Sequence, residues 1–232
     1  VYIYRIGVFP TFRCLEQIRN DISYHDCSVT IITTGVGFSY GALGMTHHCV
    51  QDIGIMSSIP NINIFSPSNK FEMEEIFNFN CGIRYIRLDK SELNLLPKSN
   101  NKKYHFYCYF ENNEFDKEDK ILILSHGSIG AIAQPLFSSK YKIDFYTVPY
   151  LMESKELVTL LKDYKKIITI EEHSIRNGFY SFIVDLLVKN KIFIEIDYLG
   201  LEHNHISLVG DQKYLRDKFS LNEDSILKKI KY

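Results

Sequence analysis

The chain has 232 residues, a net charge of −1, 45% apolar and 24% charged residues, an ordinary globular composition with length enough to bury roughly 70–75% of its unfolded surface in one or two domains. That balance excludes a basic nucleic-acid binder and a disordered acidic tail, and the lack of any run of about 18 apolar residues excludes a membrane-spanning helix. Cys14, Cys27, Cys49, Cys81 and Cys108 are odd in number and irregularly spaced, which argues against a disulfide framework or structural zinc site and for a reducing compartment; with no signal-peptide series at the start, a soluble cytoplasmic protein is expected.

Residues 1–6 read as the middle or end of a strand, so the chain is expected to begin inside a domain. Residues 9–24 carry apolar side chains at 12, 15, 18 and 22, the spacing of an amphipathic helix, and Pro10 suits its first turn. A β-branched strand at 28–34 leads into a loop with glycines at 35, 37, 41 and 44. Glycines that dense end regular structure and let backbone approach a ligand. A helix from about 49 to 58 stops near Pro60. A strand at 61–66 follows, then a helix at 70–79, capped from the run Ser66 to Asn69 and favoured by Glu72, Glu74 and Glu75 in its first turns, and a strand at 82–88. Strands and helices in strict alternation predict a mostly parallel sheet covered by helices.

Polar residues 91–101 and the charged stretch 111–119 mark a domain boundary, with residues 104–110 as a strand candidate inside a linker at 101–119. Beyond it the apolar run 120–125 reads as a strand buried on both faces. The alternation then restarts with helix 127–138, strand 143–148, helix 154–164, strand 166–170, helix 177–188 and strand 192–198, and ends in helices at 214–219 and 224–230. The predicted fold class is α/β: two doubly wound, mostly parallel sheets, in domains 1–100 and 120–232.

The glycine loop opens at a strand's carboxyl end, where ligands sit in open α/β sheets. Gly37, Ser39 and Gly41 match the G-x-S-x-G pattern of a serine-hydrolase elbow. The elbow needs a helix to start at once after the serine, whereas Gly41 and Gly44 continue the loop and leave Ser39 a loop hydroxyl. His47 and His48 are adjacent, so in an extended segment they point opposite ways and at most one faces a site; the other reading is a solvated loop histidine. His203 and His205 lie two apart beside Glu202, as a zinc pair on one strand face or as surface polar residues. Glu171, Glu172 and His173 end a strand, again a site position. Phe9 and Phe12, three apart at a helix start, are core residues or a stacking platform for a flat heterocycle.

Taken in order, residues 9–21, the loop at 35–52 with Thr46-His47-His48, residues 55–61, Phe65-Ser66-Pro67, and Glu171-Glu172-His173-Ser174 with Asn177-Gly178 resemble the C-terminal half of the transketolase-like enzymes that use thiamine diphosphate, over nearly the whole chain. The resemblance implies a pyrimidine-binding domain, incomplete at its start, followed by a transketolase C-terminal-like domain. It implies thiamine diphosphate bound between this chain's pyrimidine domain and a diphosphate-binding section of another chain, in a homodimer or heterotetramer. By position, Phe9 and Phe12 resemble the aromatics that pack on the aminopyrimidine ring, His47 the catalytic histidine facing substrate, where it hydrogen-bonds a sugar hydroxyl or shuttles a proton, and Arg87, Thr46 and His48 substrate-binding groups, with Arg87 holding a sugar phosphate.

The departures are specific. No residue matches the glutamate that protonates the aminopyrimidine; Gly35 stands for a histidine of the sugar-phosphate enzymes, Leu43 for an aspartate and Met45 for a proline. No Gly-Asp-Gly motif followed by asparagine is present, so Mg²⁺ and the diphosphate are expected on a partner, with no metal site in this chain. The expected function is the C-terminal section of a split transketolase, moving a two-carbon ketol unit between sugar phosphates and inactive alone. The alternatives are a deoxyxylulose phosphate synthase, the β subunit of a 2-oxo acid dehydrogenase, or a noncatalytic assembly module.

Overall fold

Residues 1–79, 81–90, 96–99 and 101–231 are described by the computed structural model, and their strands fall into two sheets. The first holds β1 (Tyr2–Ile6), β2 (Thr30–Thr34), β3 (Ile62–Phe65) and β4 (Ile83–Leu88) in the order β1-β2-β4-β3, with every pairing parallel. Parallel neighbours need long crossovers, and helices supply them: α1 (Leu15–Gln17) with its flanking turns, α2 (Asp52–Ser57) and α3 (Lys70–Asn78). Successive side chains leave opposite faces of a strand. Tyr85 accordingly joins Ile31, Ile53, Met56 and Ile64, while Ile86 joins Phe65, Ile76 and Tyr150.

The second sheet holds β5 (Asn101–Lys103), β6 (Phe106–Glu111), β7 (Ile121–His126), β8 (Ile143–Thr147), β9 (Lys166–Ser174) and β10 (Glu195–Leu201), in the order β10-β9-β7-β8-β6-β5. Its four strands β10, β9, β7 and β8 are parallel; β6 and β5 run antiparallel at one edge. The apolar run of β7 is explained by cover on both faces. Leu122 and Leu124 pack with Phe179, Ile183 and Leu187, and Ile123 packs with Phe145, Ile168 and Leu199. The helices are α4 (Lys155–Lys162), α5 (Phe179–Lys189), α6 (Gln212–Lys218) and α7 (Glu223–Lys231). No helix among the described residues is long and apolar enough to cross a membrane.

Four expectations change. The stretch 9–24 is not one regular helix: Phe9–Arg13 and Ile18–Ser23 have the wider turn in which an N–H reaches five residues back, as Tyr24 N–H does to Arg19 O at 3.0 Å. The Thr11 hydroxyl donates to Gly7 O at 2.8 Å, a side-chain bond to the carbonyl four residues back that opens a helix. The linker assigned to 101–119 contains β5 and β6. Phe106 and Cys108 are buried in the second sheet's core, so the sheet claims these residues; of the polar stretch 91–101, residues 91–95 and 100 lie outside the described residues. The helix expected at 127–138 is Ser128–Leu136, wound in tight three-residue turns with Pro135 inside, a residue that cannot donate to a helical ladder. Finally β9 runs on to Ser174, past its expected end at 170, because Glu171 to Ser174 all find buried partners.

Candidate active site

The glycine loop leaves the carboxyl end of β2 and is closed at its base by a reciprocal pair, Gly37 N–H to Cys49 O at 2.8 Å and Cys49 N–H to Gly37 O at 3.0 Å. Gly37 (φ +61°) and Gly44 (φ +79°) occupy the left-handed region, which glycine enters without strain. Space makes a second demand. A Cβ on Gly37 would meet the Glu172 carboxyl carbon at 2.6 Å, and one on Gly41 would come within 2.6 Å of Gly210 O. Phe38 leaves the first sheet altogether and belongs to the core of the second, stacked on Phe219 at 5.5 Å between ring centroids. The loop is thus seated on the segment around α6, across the seam between the sheets.

At the loop's far side His47 is half-buried and Thr46 exposed. The Thr46 hydroxyl oxygen lies 3.0 Å from His47 Nδ1; the Tyr40 ring is 6.4 Å away. His48 points the other way. It is 3% exposed, its Nε2 donates to Gly41 O at 3.3 Å, and its ring meets the Phe38 ring edge-on at 5.3 Å. The adjacent histidines diverge from a turn in which both N–H groups reach Gly44 O, at 2.9 and 3.2 Å. In this chain His48 braces the loop from inside.

Arg87 is buried too. Its guanidinium is 3% exposed and forks onto Asp52, Nε to Oδ2 at 2.5 Å and Nη2 to Oδ1 at 3.0 Å. Burial pushes the Asp52 carboxyl up, but the Arg87 charge and hydrogen bonds outweigh it and hold the group below the usual carboxylate value. Phe9 is half-buried against Val8, Val36 and Cys49, at the root of the glycine loop. Phe12 is 51% exposed.

The run Glu171-Glu172-His173 faces inward, residue by residue. Glu171 Oε2 accepts Phe179 N–H at 2.7 Å and Oε1 accepts Tyr180 N–H at 2.8 Å; it caps α5, whose own N-terminal flank, Gly178, has no side chain to do so. Glu172 Oε1 accepts Phe38 N–H at 3.0 Å. His173 Nδ1 donates to Ser174 O at 2.7 Å and its Nε2 accepts Ile53 N–H at 3.1 Å, a neutral ring consistent with burial lowering it to about 4. These side chains join the sheets; sequence position suggested a site, and only the contacts reveal a seam.

Glu171 gives a pH prediction. Burial raises it to about 8 in spite of the two backbone donors, above an unfolded value of about 4.3. A group raised on folding stabilises fully below its unfolded value and loses that contribution as pH rises through its folded one. Glu171→Gln removes the titration, so the stability of the native chain relative to this variant should fall between about pH 4.5 and pH 8, at a slope approaching 1.4 kcal/mol per pH unit, about one proton. Urea denaturation across that range measures it, and a flat difference would refute the assignment.

The remaining sequence candidates disperse. The Ser39 hydroxyl lies 2.6 Å from Asp89 Oδ1 and 2.7 Å from Val36 O and meets no catalytic base in either, which removes the hydrolase elbow. His203 and His205 are exposed in the turn after β10 rather than aligned on a strand, and no group of three or more His, Cys, Asp or Glu among the described residues is arranged to hold a metal. Missed by sequence reasoning were Asp52, Asp89, Gln212 and Arg216. Arg216 donates to both Glu172 and Asp89, and Gln212 reaches both carboxylates at 3.2 Å. Nothing in local spacing links residue 216 to residue 89.

Comparison with known proteins adds the following. The family model for the transketolase pyrimidine-binding domain matches residues 4–94. An apulose-4-phosphate transketolase subunit of Actinobacillus succinogenes is 31% identical over 228 residues, covering 94% of this chain and 72% of its own. A 1-deoxy-D-xylulose-5-phosphate synthase of Malacoplasma penetrans is 24% identical across 97% of this chain but only 37% of its own. Among solved structures, a split gene transketolase in an inactive beta4 tetramer superposes with a TM-score of 0.78 at 20% identity, over 99% of this chain and 74% of that one. At that identity the likeness is one of fold.

Proposed function

This chain belongs to the transketolase family, and from that premise we propose that it is the section of a thiamine diphosphate-dependent transketolase that carries the pyrimidine-side and substrate-side residues. It would transfer a two-carbon ketol unit between sugar phosphates once joined to a diphosphate-binding subunit. The observation that carries the reading is the loop at the carboxyl end of β2, which presents Thr46 and His47 at the surface with His47 Nδ1 engaged by Thr46 at 3.0 Å.

The residues fit one half of the cofactor. Phe9 offers an aromatic, half-buried edge beside the root of the glycine loop, suited to a flat pyrimidine. Among the described residues no group of three or more His, Cys, Asp or Glu is arranged to hold a metal, and Arg87 is committed to Asp52. On this reading the diphosphate half belongs to a partner subunit, and the chain by itself is inactive. When bound, the cofactor supplies the carbanion chemistry. His47 does the rest that this chain can do: its Nε2 hydrogen-bonds a hydroxyl of the sugar and moves a proton to or from it, while Thr46 holds the ring in register. The similarity to a synthase over 97% of this chain supports a second reading, deoxyxylulose phosphate synthesis, which differs in donor.

Calorimetry with thiamine diphosphate and Mg²⁺, on the chain alone and then mixed with a diphosphate-binding transketolase subunit, tests the proposal. Binding in the mixture alone, with ketol transfer from a ketose phosphate, is the expected result. Binding by the isolated chain would overturn the shared site, turnover of pyruvate in place of a ketose phosphate would select the synthase, and a mixture that neither binds nor turns over would leave a noncatalytic assembly module.

A further inference from the structure

Glu172 stands where the second sheet takes hold of the loop's backbone. Its Oε1 accepts Phe38 N–H at 3.0 Å, and its Oε2 receives Arg216 through Nε at 3.0 Å and through Nη2. The same guanidinium reaches Asp89 at 3.2 Å, and Asp89 in turn takes the Ser128 hydroxyl at 2.7 Å and lies 2.6 Å from the Ser39 hydroxyl. Arg216 and Gln212 both come from α6, near the far end of the chain. Two buried carboxylates are thus oriented by one helix, and each grips the foot of the glycine loop.

From that foot a relay of backbone bonds at three-residue spacing leads to His47. Gly41 N–H donates to Phe38 O at 2.8 Å, Gly44 N–H to Gly41 O at 3.1 Å, and His47 N–H to Gly44 O at 2.9 Å. Gly210 N–H reaches Gly41 O at 3.4 Å, and a Cβ on Gly44 would meet Val209 at 3.3 Å, so the relay lies against the segment that precedes α6.

We propose that Glu172, aligned by Arg216, is a positioning residue for His47. It acts from the second sheet through the backbone of the loop and touches no substrate. The inference rests on the reading of His47 as the substrate-facing group, and it adds that helix α6 belongs to the scaffold of the site.

The test compares Glu172→Ala, which removes the acceptor for Phe38 N–H, with Glu172→Gln, which keeps an acceptor oxygen, and Arg216→Lys, which keeps the charge and loses the fork. In the assembled enzyme Glu172→Ala should lower kcat by about 10- to 100-fold with KM within about two-fold, the effect of a small misplacement, and Glu172→Gln should recover most of it. In the isolated chain the NMR ring resonances of His47 should move in Glu172→Ala and return in Glu172→Gln, with amide exchange faster at 38–48 and unchanged in β7 and β9. If Glu172→Ala does not fold, Arg216→Lys should give a partial loss of kcat and a partial shift of the same resonances. His47 resonances that match the native chain in every variant would overturn the proposal, as would faster exchange throughout β7 and β9. An inactive native assembly would remove the catalytic reading, and the ring resonances would then decide the positioning claim by themselves.

Discussion

Replacing Asp52 with alanine is expected to destabilise the chain by about 3–5 kcal/mol, because the Arg87 guanidinium would remain buried with its charge uncompensated. Asp52 is 0% exposed, takes two bonds from Arg87 and one from Tyr85 OH at 2.8 Å, and lies 3.8 Å from His173 Nε2. At roughly 2–4 °C per kcal/mol for a chain of this size, the melting temperature should fall by about 6–20 °C. Asp52→Leu combined with Arg87→Met should cost less than Asp52→Leu alone, since an apolar pair of similar bulk leaves no orphaned charge. A denaturation midpoint for Asp52→Ala within about 1 kcal/mol of the native chain would refute this account.

The same pair has an acid limb. The carboxyl of Asp52 is held below its usual value by Arg87, so its stabilisation is present above the unfolded value of about 3.9 and is lost as pH falls through the folded one. The native chain's advantage over Asp52→Asn should be constant near neutrality and shrink below about pH 4.

His47→Ala is expected to lower kcat of the assembled enzyme by about 10²–10⁴, the range for a removed general acid or base, with thiamine diphosphate affinity little changed. Stability should stay within about 0.5 kcal/mol, as for a side chain away from the core. His48→Ala is the contrasting variant. That ring braces Phe38 and Gly41 from inside, so its loss should lower stability and, on the proposed reading, change kcat far less than His47→Ala does. Steady-state kinetics beside urea denaturation separates the two, and equal kcat for His47→Ala and the native chain would sink the assignment.

Much of the architecture was legible. β2 with its threonines and isoleucines, the unbroken apolar run of β7, and the alternation of strands with helical segments each carry a local signal that tertiary contacts reinforce. The Asn69 cap was readable too: its side chain accepts Phe71 N–H and Glu72 N–H at 3.0 Å. Glu72 was not. Expected as a favourable charge in a first turn, it is 1% exposed and takes Ser68 N–H, Tyr109 OH and Thr147 OH. The strand candidate at 104–110 corresponds to β6, whereas β5, the short edge strand, was obscured by its polar surroundings.

The sequence by itself determined the class of the fold and the glycine loop at a strand end, since each follows from spacing or side-chain type within a few residues. The tertiary structure alone decided which polar groups are spent. Arg87 meets Asp52, Glu172 meets Phe38 N–H and Arg216, and His173 meets Ile53 N–H, all across long stretches of chain. A buried charge must be paired or hydrogen-bonded, and its partner is chosen by what folding brings near, which no local pattern encodes.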